Sequence, residues 1–408
     1  MSAPPNEIPT ACDVLVVGAG PAGSACAHHL AAAGLSVLLV DQHVFPRDKV
    51  CGDGLIPDAH AALRRLGVLD EVMAVAQPAR HVRCVGPRGG LVDVPGTLAV
   101  LPRKVLDHIL VRNAERAGAR LLAPLRFEAP LEEAGRVVGA RFKAGERQHE
   151  IRARWVVLAT GAVPQGLIAA GMCERRTPSG VALRGYVKNE ALIGRITQLQ
   201  LVWHPRLKGG YGWIFPAPDG VFNIGAGLTG SHLDVGGGRH AMQDVNLRQM
   251  FDAFCEVYEP ARELMAGGQV VGEVKGAPLR CSLIGAKWSR PGLLVTGEAA
   301  GSTYAFSGEG IGKAMETGLL AAEALKAGLA DDAAVRARYD EAMRGLAPKF
   351  SLYEKAAHVN HRPWLADLVI WRARKSPRIL RRMSGVLEET QNPGRLLSWR
   401  GIAKLMFE

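Results

Sequence analysis

Residues 18–23 read "GAGPAG", and a little farther on residues 45–54 read "FPRDKVCGDG". The first is a GxGxxG pattern, in which Gly18 permits a tight turn, Gly20 lets the backbone approach a pyrophosphate and Gly23 lets a helix pack closely on a strand. The second sets the Cys51 thiol among Arg47, Lys49, Gly52 and Gly54, with no second cysteine nearby to pair with it. Such a thiol has three readings: a thiolate favoured by nearby positive charge, a neutral proton donor, or a small buried hydrophobe. The residues alone leave all three open.

The glycine-rich turn needs particular elements around it, and the sequence supplies them. "CDVLVV" is an apolar strand, an alanine-rich helical stretch follows the turn, and "SVLLVD" is a second strand, so the segment is a βαβ unit. The helix N-terminus offers free N–H groups and a positive dipole end to phosphates. Asp41 closes the second strand and is placed to accept hydrogen bonds from ribose hydroxyls. Gly18, Gly20, Ala22, Gly23 and Asp41 are therefore the expected dinucleotide contacts. The Pro21-Ala22-Gly23 run is similar to FAD proteins rather than to NAD dehydrogenases.

Further segments extend that likeness. "LPRKVLDHIL" (101–110) resembles the helix start through which flavoproteins of the glutathione-reductase type touch FAD, with Arg103 and Asp107 in the matching places. "ARWVVLATGA" (153–162) resembles the strand that such proteins run beside the cofactor. "GLLVTGEAAGSTYAFSGEGIGKAMETGLLAAEAL" (292–325) resembles their second FAD segment, with Glu298 where an aspartate is usual and a turn from Gly308 to Gly312 facing the flavin. With "YGWIFP", which carries Tyr211, Trp213 and Phe215, these motifs resemble the geranylgeranyl reductase family of FAD-dependent oxidoreductases, relatives of flavin-dependent halogenases and monooxygenases.

The resemblance covers about residues 10–345. It implies an α/β protein with a glutathione-reductase-type FAD-binding domain, an antiparallel-sheet substrate domain and a helical C-terminal segment. It implies a reductase that saturates carbon–carbon double bonds of an isoprenoid or other apolar lipid-like substrate, with NADPH or a small redox protein as electron donor. Arg47, Cys51, Gly52, Arg103, Glu298, Gly308, Gly310 and Ile311 then join the expected FAD contacts, and Cys51, Tyr211 and Trp213 are expected at the reacting end. The 45–54 loop would cover the flavin ring, with Arg47 and Lys49 giving positive charge to a reduced flavin or an anionic substrate head. A monooxygenase or halogenase of natural-product biosynthesis is one alternative, and an electron-transfer flavoprotein docking a redox partner is another. "ATGAVP" lacks the Asp-Gly pair that aromatic hydroxylases carry at this strand end, which weighs against an NADPH-dependent hydroxylase.

The FAD segments lie apart in sequence, so the cofactor domain is expected to be discontinuous: 10–82, 101–165 and 276–330. Residues 83–100 and 166–275, rich in strand-like alternation, are expected to form the substrate domain, with a helix over 242–265. Residues 331–408 read as helices broken at Pro348, Pro363, Pro377 and Pro393. From 349 onward there are twelve Lys or Arg against five Asp or Glu, a surplus that reads as a solvated face or as a docking surface for an anionic membrane or an acidic partner. Trp364, Trp371 and Trp399 read as packing anchors or as interfacial rings.

Several classes are excluded. The seven cysteines form no CxxC pair, so no metal site is expected and a reducing cytoplasm is the default. No apolar run reaches about eighteen residues, and the start lacks a signal-peptide pattern. No nucleic-acid motif accompanies the net charge of +11, and neither HExxH nor GxSxG occurs in a setting that would make a hydrolase.

Overall fold

The apolar runs Ala11–Val17, Val37–Val40, Arg120–Leu122, Arg147–Leu158 and Leu293–Val295 form a parallel sheet in the computed structural model, which describes residues 8–174, 176–207, 209–230, 246–281 and 283–391. The strand order is Ser289–Arg290, Leu293–Val295, Arg147–Leu158, Ala11–Val17, Val37–Val40, Arg120–Leu122, with the first of these antiparallel to its neighbour. Val14, Leu15, Val16 and Val156 to Leu158 are buried, as strands covered on both faces require. The hairpin Arg126–Glu133 and Arg136–Ala144 hangs antiparallel from Arg147–Leu158.

Helices Pro21–Ala31 and Ile311–Lys326 lie against each other beside this sheet. Their backbones nearly touch: a Cβ at Gly318 would stand 2.2 Å from the Ala22 carbonyl oxygen. The two expected FAD segments, far apart in sequence, thus become one surface.

The second sheet runs Gln269–Leu279, Gly180–Lys188, Val221–Thr229, Gly210–Pro216, Leu199–Val202, Gln77–Val85, Leu91–Val100, Gly54–Leu55. It is antiparallel except where Leu199–Val202 meets Gln77–Val85. The expected boundary at 82 falls inside Gln77–Val85, the whole of which belongs to this sheet. Helices Leu247–Val257 and Glu259–Gly267 cover one face. They replace the single helix expected over 242–265, because Tyr258 is extended and Pro260 opens a new helix. Residues 242–245 lie outside the described residues.

The C-terminal segment crosses to the other face of this sheet. Helix Asp332–Ala356 runs straight through Pro348, where a break was expected. Pro348 and Arg344, whose carbonyl loses its helical partner, are both exposed, so water can take the place of the missing N–H and offset part of the cost of a proline inside a helix. Helices Trp364–Lys375 and Pro377–Leu387 then lay Leu365, Ile370, Ala373 and Ile379 against Val92 and Val94 of the sheet. Trp364 and Trp371 are not the packing anchors that their type suggested: they are 53% and 47% exposed. Trp399 and Pro393 lie outside the described residues. Among the described residues no helix is long and apolar enough to cross a membrane.

Candidate active site

A cavity of about 600 Å³ runs from the glycine-rich turn, along the 45–54 loop, to the gap between the second sheet and the C-terminal helices. Its two ends differ chemically. One end is a polar cradle. Gly18 has φ +105° and no room for a side chain beside the Ala159 carbonyl oxygen. A Cβ at Gly23 would stand 1.8 Å from the Gly18 carbonyl oxygen. The space at Gly20 is different, being bounded only by the Arg47 and Arg103 guanidinium groups, 3.6 and 3.8 Å from where a Cβ would stand. Two cations beside an uncapped helix N-terminus make a site for a pyrophosphate. Ala22 is buried behind it.

Asp41 sits at the strand end, its carboxylate accepting from the Ala19 and His43 amides at 2.9 Å each. Arg103 donates to both oxygens of buried Asp107 at 2.6 and 2.8 Å, and Arg47 lies 3.0 Å from the same carboxylate. The buried Thr160 hydroxyl lines the cavity with no hydrogen-bond partner. Glu298 reaches Lys49 at 3.2 Å, with the Arg280 amide and the Thr303 hydroxyl at 3.4 Å. Gly308 (φ +69°), Gly310 and Ile311 complete the wall, with Gly310 ahead of the first turn of helix Ile311–Lys326.

Both basic side chains of the 45–54 loop meet partners within the cradle. Arg47 turns to Gly20 and Asp107, and Lys49 pairs with Glu298. The extra methylene of Glu298, relative to the usual aspartate, spans the gap to that lysine.

The other end is apolar. Tyr211 and Trp213 alternate on strand Gly210–Pro216 and both line the cavity, their ring centroids 6.3 Å apart. Each has its polar atom satisfied: the Tyr211 hydroxyl donates to the Ser307 carbonyl oxygen, and the Trp213 indole donates to Asn223 at 2.9 Å. Trp203 and Phe306 stack at 6.4 Å beside them. Ile370, Met383 and Leu387 of the C-terminal helices close the far side, a contribution that sequence reasoning did not assign to the site.

Cys51 lies where the two ends meet, partly buried and close enough to the Arg103 guanidinium to interact with it. Its loop is held by residues that the sequence patterns did not single out. Asp53 is fully buried with φ +66°. It accepts from the Tyr186 hydroxyl at 2.5 Å and the Asn223 amide at 2.7 Å. That amide also donates to the Cys51 carbonyl oxygen at 2.8 Å. Arg184 stacks on Tyr186 and donates to Asp48 at 2.8 Å and to the Lys49 carbonyl oxygen at 3.1 Å. Burial pushes the Asp53 carboxyl up to about 6 although Tyr186, Arg184 and Asn223 oppose the shift. One signal was available: Asn223 is a lone polar residue in the apolar strand "VFNIGAG", where asparagine is disfavoured unless its side chain has partners. Among the described residues no group of three or more His, Cys, Asp or Glu could hold a metal ion.

Comparison with known proteins agrees with the cradle. A family model described as an FAD binding domain matches residues 11–173. The chain is 33% identical over 347 residues to a menaquinone reductase of Mycobacterium tuberculosis, spanning 78% of each chain. It is 30% identical over 325 residues to digeranylgeranylglycerophospholipid reductase 1 of Methanopyrus kandleri, spanning 78% of this chain and 82% of that one. Its fold matches a crystal structure of a geranylgeranyl bacteriochlorophyll reductase-like protein from Thermoplasma acidophilum, with TM-score 0.70 and 22% identity over 98% of this chain and 96% of that one. The cofactor is FAD, and the two guanidinium groups at Gly20, the unpartnered Thr160 hydroxyl and the carboxylate at Asp41 fit it.

Asn223→Ala removes the amide that joins Asp53 to Cys51 and leaves a buried carboxylate short of a donor. It is expected to lower stability to urea by about 2 kcal/mol and to speed alkylation of Cys51 by iodoacetamide, followed by peptide mass spectrometry. Unchanged alkylation would show that the network does not hold the loop.

Proposed function

The chain belongs to the geranylgeranyl reductase family of FAD-dependent oxidoreductases, and we propose that it saturates carbon–carbon double bonds of an isoprenoid chain carried by a lipid or quinone. The observation that carries this reading is the continuity of the cavity: the polar cradle opens directly into a chamber walled by Trp203, Tyr211, Trp213, Phe306, Ile370 and Met383. The two relatives are named for a menaquinone and for a geranylgeranyl glycerophospholipid, both molecules with isoprenoid chains.

When bound, FAD supplies the hydride; the residues around it do the rest. Gly18, Gly20, Gly23, Asp41, Arg47 and Arg103 would hold the dinucleotide, and Gly308 to Ile311 would pass beside the ring. Cys51 and Gly52 bring backbone and thiol to the junction. Tyr211 and Trp213, with their polar atoms turned to Ser307 and Asn223, present ring faces to the chain. An apolar wall of this kind gains about 25 cal/mol for each Å² of chain surface it takes from water, and it keeps water from the reacting carbon.

The C-terminal helices support a membrane source for the substrate. Trp364 and Trp371 are two helical turns apart on one face, and Lys375 and Arg372 sit 4.6 and 5.5 Å from the Trp371 ring. Arg374, Lys375, Arg378 and Arg381 are exposed beside them. The opposite faces of the same helices line the chamber through Ile370, Met383 and Leu387. Aromatic rings and basic heads on the outside of the chamber wall suit the headgroup layer of an anionic bilayer.

Anaerobic incubation of the dithionite-reduced holoprotein with a panel of prenyl lipids, read by mass spectrometry, is expected to give products heavier by two hydrogens per bond. Oxygenated or halogenated products in air, with no such gain under anaerobic conditions, would overturn the reading.

Flotation with anionic vesicles at low salt is expected to carry the native chain. A variant with Arg372, Arg374, Lys375, Arg378, Arg381 and Arg382 changed to Gln should sink, since each basic residue near such a surface contributes about 1 kcal/mol. Equal flotation of the two would show that the basic face plays no part in docking.

A further inference from the structure

The proposed reduction, on which this inference rests, consumes a proton as well as a hydride, and one cluster at the cavity wall has no part in the arrangement described above. Glu309 lines the cavity between Gly308 and Gly310. Behind the same turn, the Asp58 carboxylate occupies the space at Gly312, 2.3 Å from where a Cβ would stand. Asp58 is buried, and one of its oxygens has no hydrogen-bond partner.

The cations nearby are already taken. The buried Lys313 ammonium lies 2.6 Å from Glu316 and 3.1 Å from Glu389, but 3.7 Å from Asp58. Lys349 lies 2.6 Å from Glu389. Four carboxyl groups therefore share two ammonium groups, and the short contacts go to Glu316 and Glu389. The other ionisable groups around Glu309 are Tyr211, Tyr304 and Tyr353, whose hydroxyls burial keeps protonated. Asp58 is buried and Glu309 is half-buried at the cavity wall, and neither holds a cation of its own at short range. A carboxylate so placed is costly, and such a group keeps its proton instead.

We propose that Glu309, with Asp58 behind it, is the acid that supplies the proton when the substrate double bond is reduced. The π bond breaks, one carbon takes the hydride supplied by reduced FAD, and the other takes a proton as the O–H bond of Glu309 breaks. Both electrons of the new C–H bond at the first carbon come with the hydride. The π electrons form the bond to the proton, and a carboxylate is left at Glu309. That carboxylate regains a proton from solvent, favoured by the acid behind it. A nicotinamide dinucleotide or a small redox protein returns two electrons to the cofactor.

The same geometry sets the electrostatics of the pair. Burial pushes Glu309 up to about 7, and Asp58 adds to the shift. Burial likewise pushes Asp58 up to about 6 against the attraction of Lys313. An acid whose proton is held near the working pH is effective in general acid catalysis. The folded chain holds the Glu309 proton more tightly than the unfolded chain does. The stability this contributes is complete below the ordinary glutamic acid range and is lost as pH rises toward about 7.

The test uses the FAD-loaded full chain, Glu309→Gln and Asp58→Asn. In an infrared titration without substrate, the native protein is expected to show a protonated-carboxyl band that disappears with a midpoint near pH 7 and is missing in Glu309→Gln. In Asp58→Asn the midpoint falls, because a like charge is gone. In a single turnover on a prenyl alkene, Glu309→Gln is expected to slow the chemical step by about 10²-fold and to lose the decline in rate that the native protein shows above neutral pH. A carboxyl titration complete by about pH 5, the ordinary range, or native turnover in Glu309→Gln, would overturn the assignment. Should Glu309→Gln not fold, an unmoved midpoint in Asp58→Asn overturns it alone. The infrared arm needs no substrate, so its failure counts against Glu309, whereas failure of the native protein to saturate any alkene counts against the reduction itself.

Discussion

A buried carboxylate with a left-handed backbone sets the geometry of this protein. Asp53 stands between two glycines at φ +66°, out of contact with solvent. Leaving such a group without donors would cost several kcal/mol in practice, so the fold has to bring donors to it. The Arg103 amide reaches one oxygen at 3.3 Å, and the short bonds come from the second sheet: Tyr186 on one strand and Asn223 on the next. The loop that follows the dinucleotide-binding strands is thereby fastened to the sheet that walls the apolar chamber. Asn223 extends the bond to Cys51 and Trp213, so the thiol, the indole and the glycine-rich backbone share one frame.

That frame lets two incompatible environments adjoin. The cradle is built from charges, and nearly every charge in it is answered: Arg103 by Asp107, Arg47 by the same carboxylate, Lys49 by Glu298. The chamber is built from aromatic and aliphatic side chains whose polar atoms are turned outward to Ser307, Asn223 and Asn360. Under the proposed function, this arrangement would hold a hydride acceptor with no polar groups beside the dinucleotide and keep water from entering between them. The C-terminal helices complete the enclosure, and Asn360 ties them down by accepting from Trp203 and donating to the Phe306 carbonyl oxygen.

The cradle was legible in the sequence because its parts are local. Gly18, Gly20, Gly23 and Asp41 lie within one βαβ unit, where spacing alone encodes the turn, the phosphate approach and the acid. Arg103 and Glu298 were legible only through resemblance, since nothing local says that residues so distant line one cavity. The Asp53 network was not legible: its partners lie 133 and 170 residues away, and an Asp between glycines reads equally well as an ordinary turn. Trp364 and Trp371 show the opposite difficulty. Their size argues for burial, but the periodicity of their helix is satisfied by Leu365, Ala366, Ile370 and Ala373, which leaves both rings outside. Pro348 was read as a break because its effect depends on which face of the helix meets solvent, and sequence alone does not assign that face.

If the polar cradle and the apolar chamber act as one site for reducing an alkene, reduced flavin and substrate must react with each other directly. Anaerobic stopped-flow mixing of the reduced holoprotein with a prenyl alkene tests this, with the flavin absorbance followed and the product quantified from the same reaction. The expected result is reoxidation of the flavin without oxygen, in step with saturation of one double bond per flavin. Flavin that stays reduced with every alkene offered, and reoxidises only with oxygen or a quinone ring, would contradict a single reducing site.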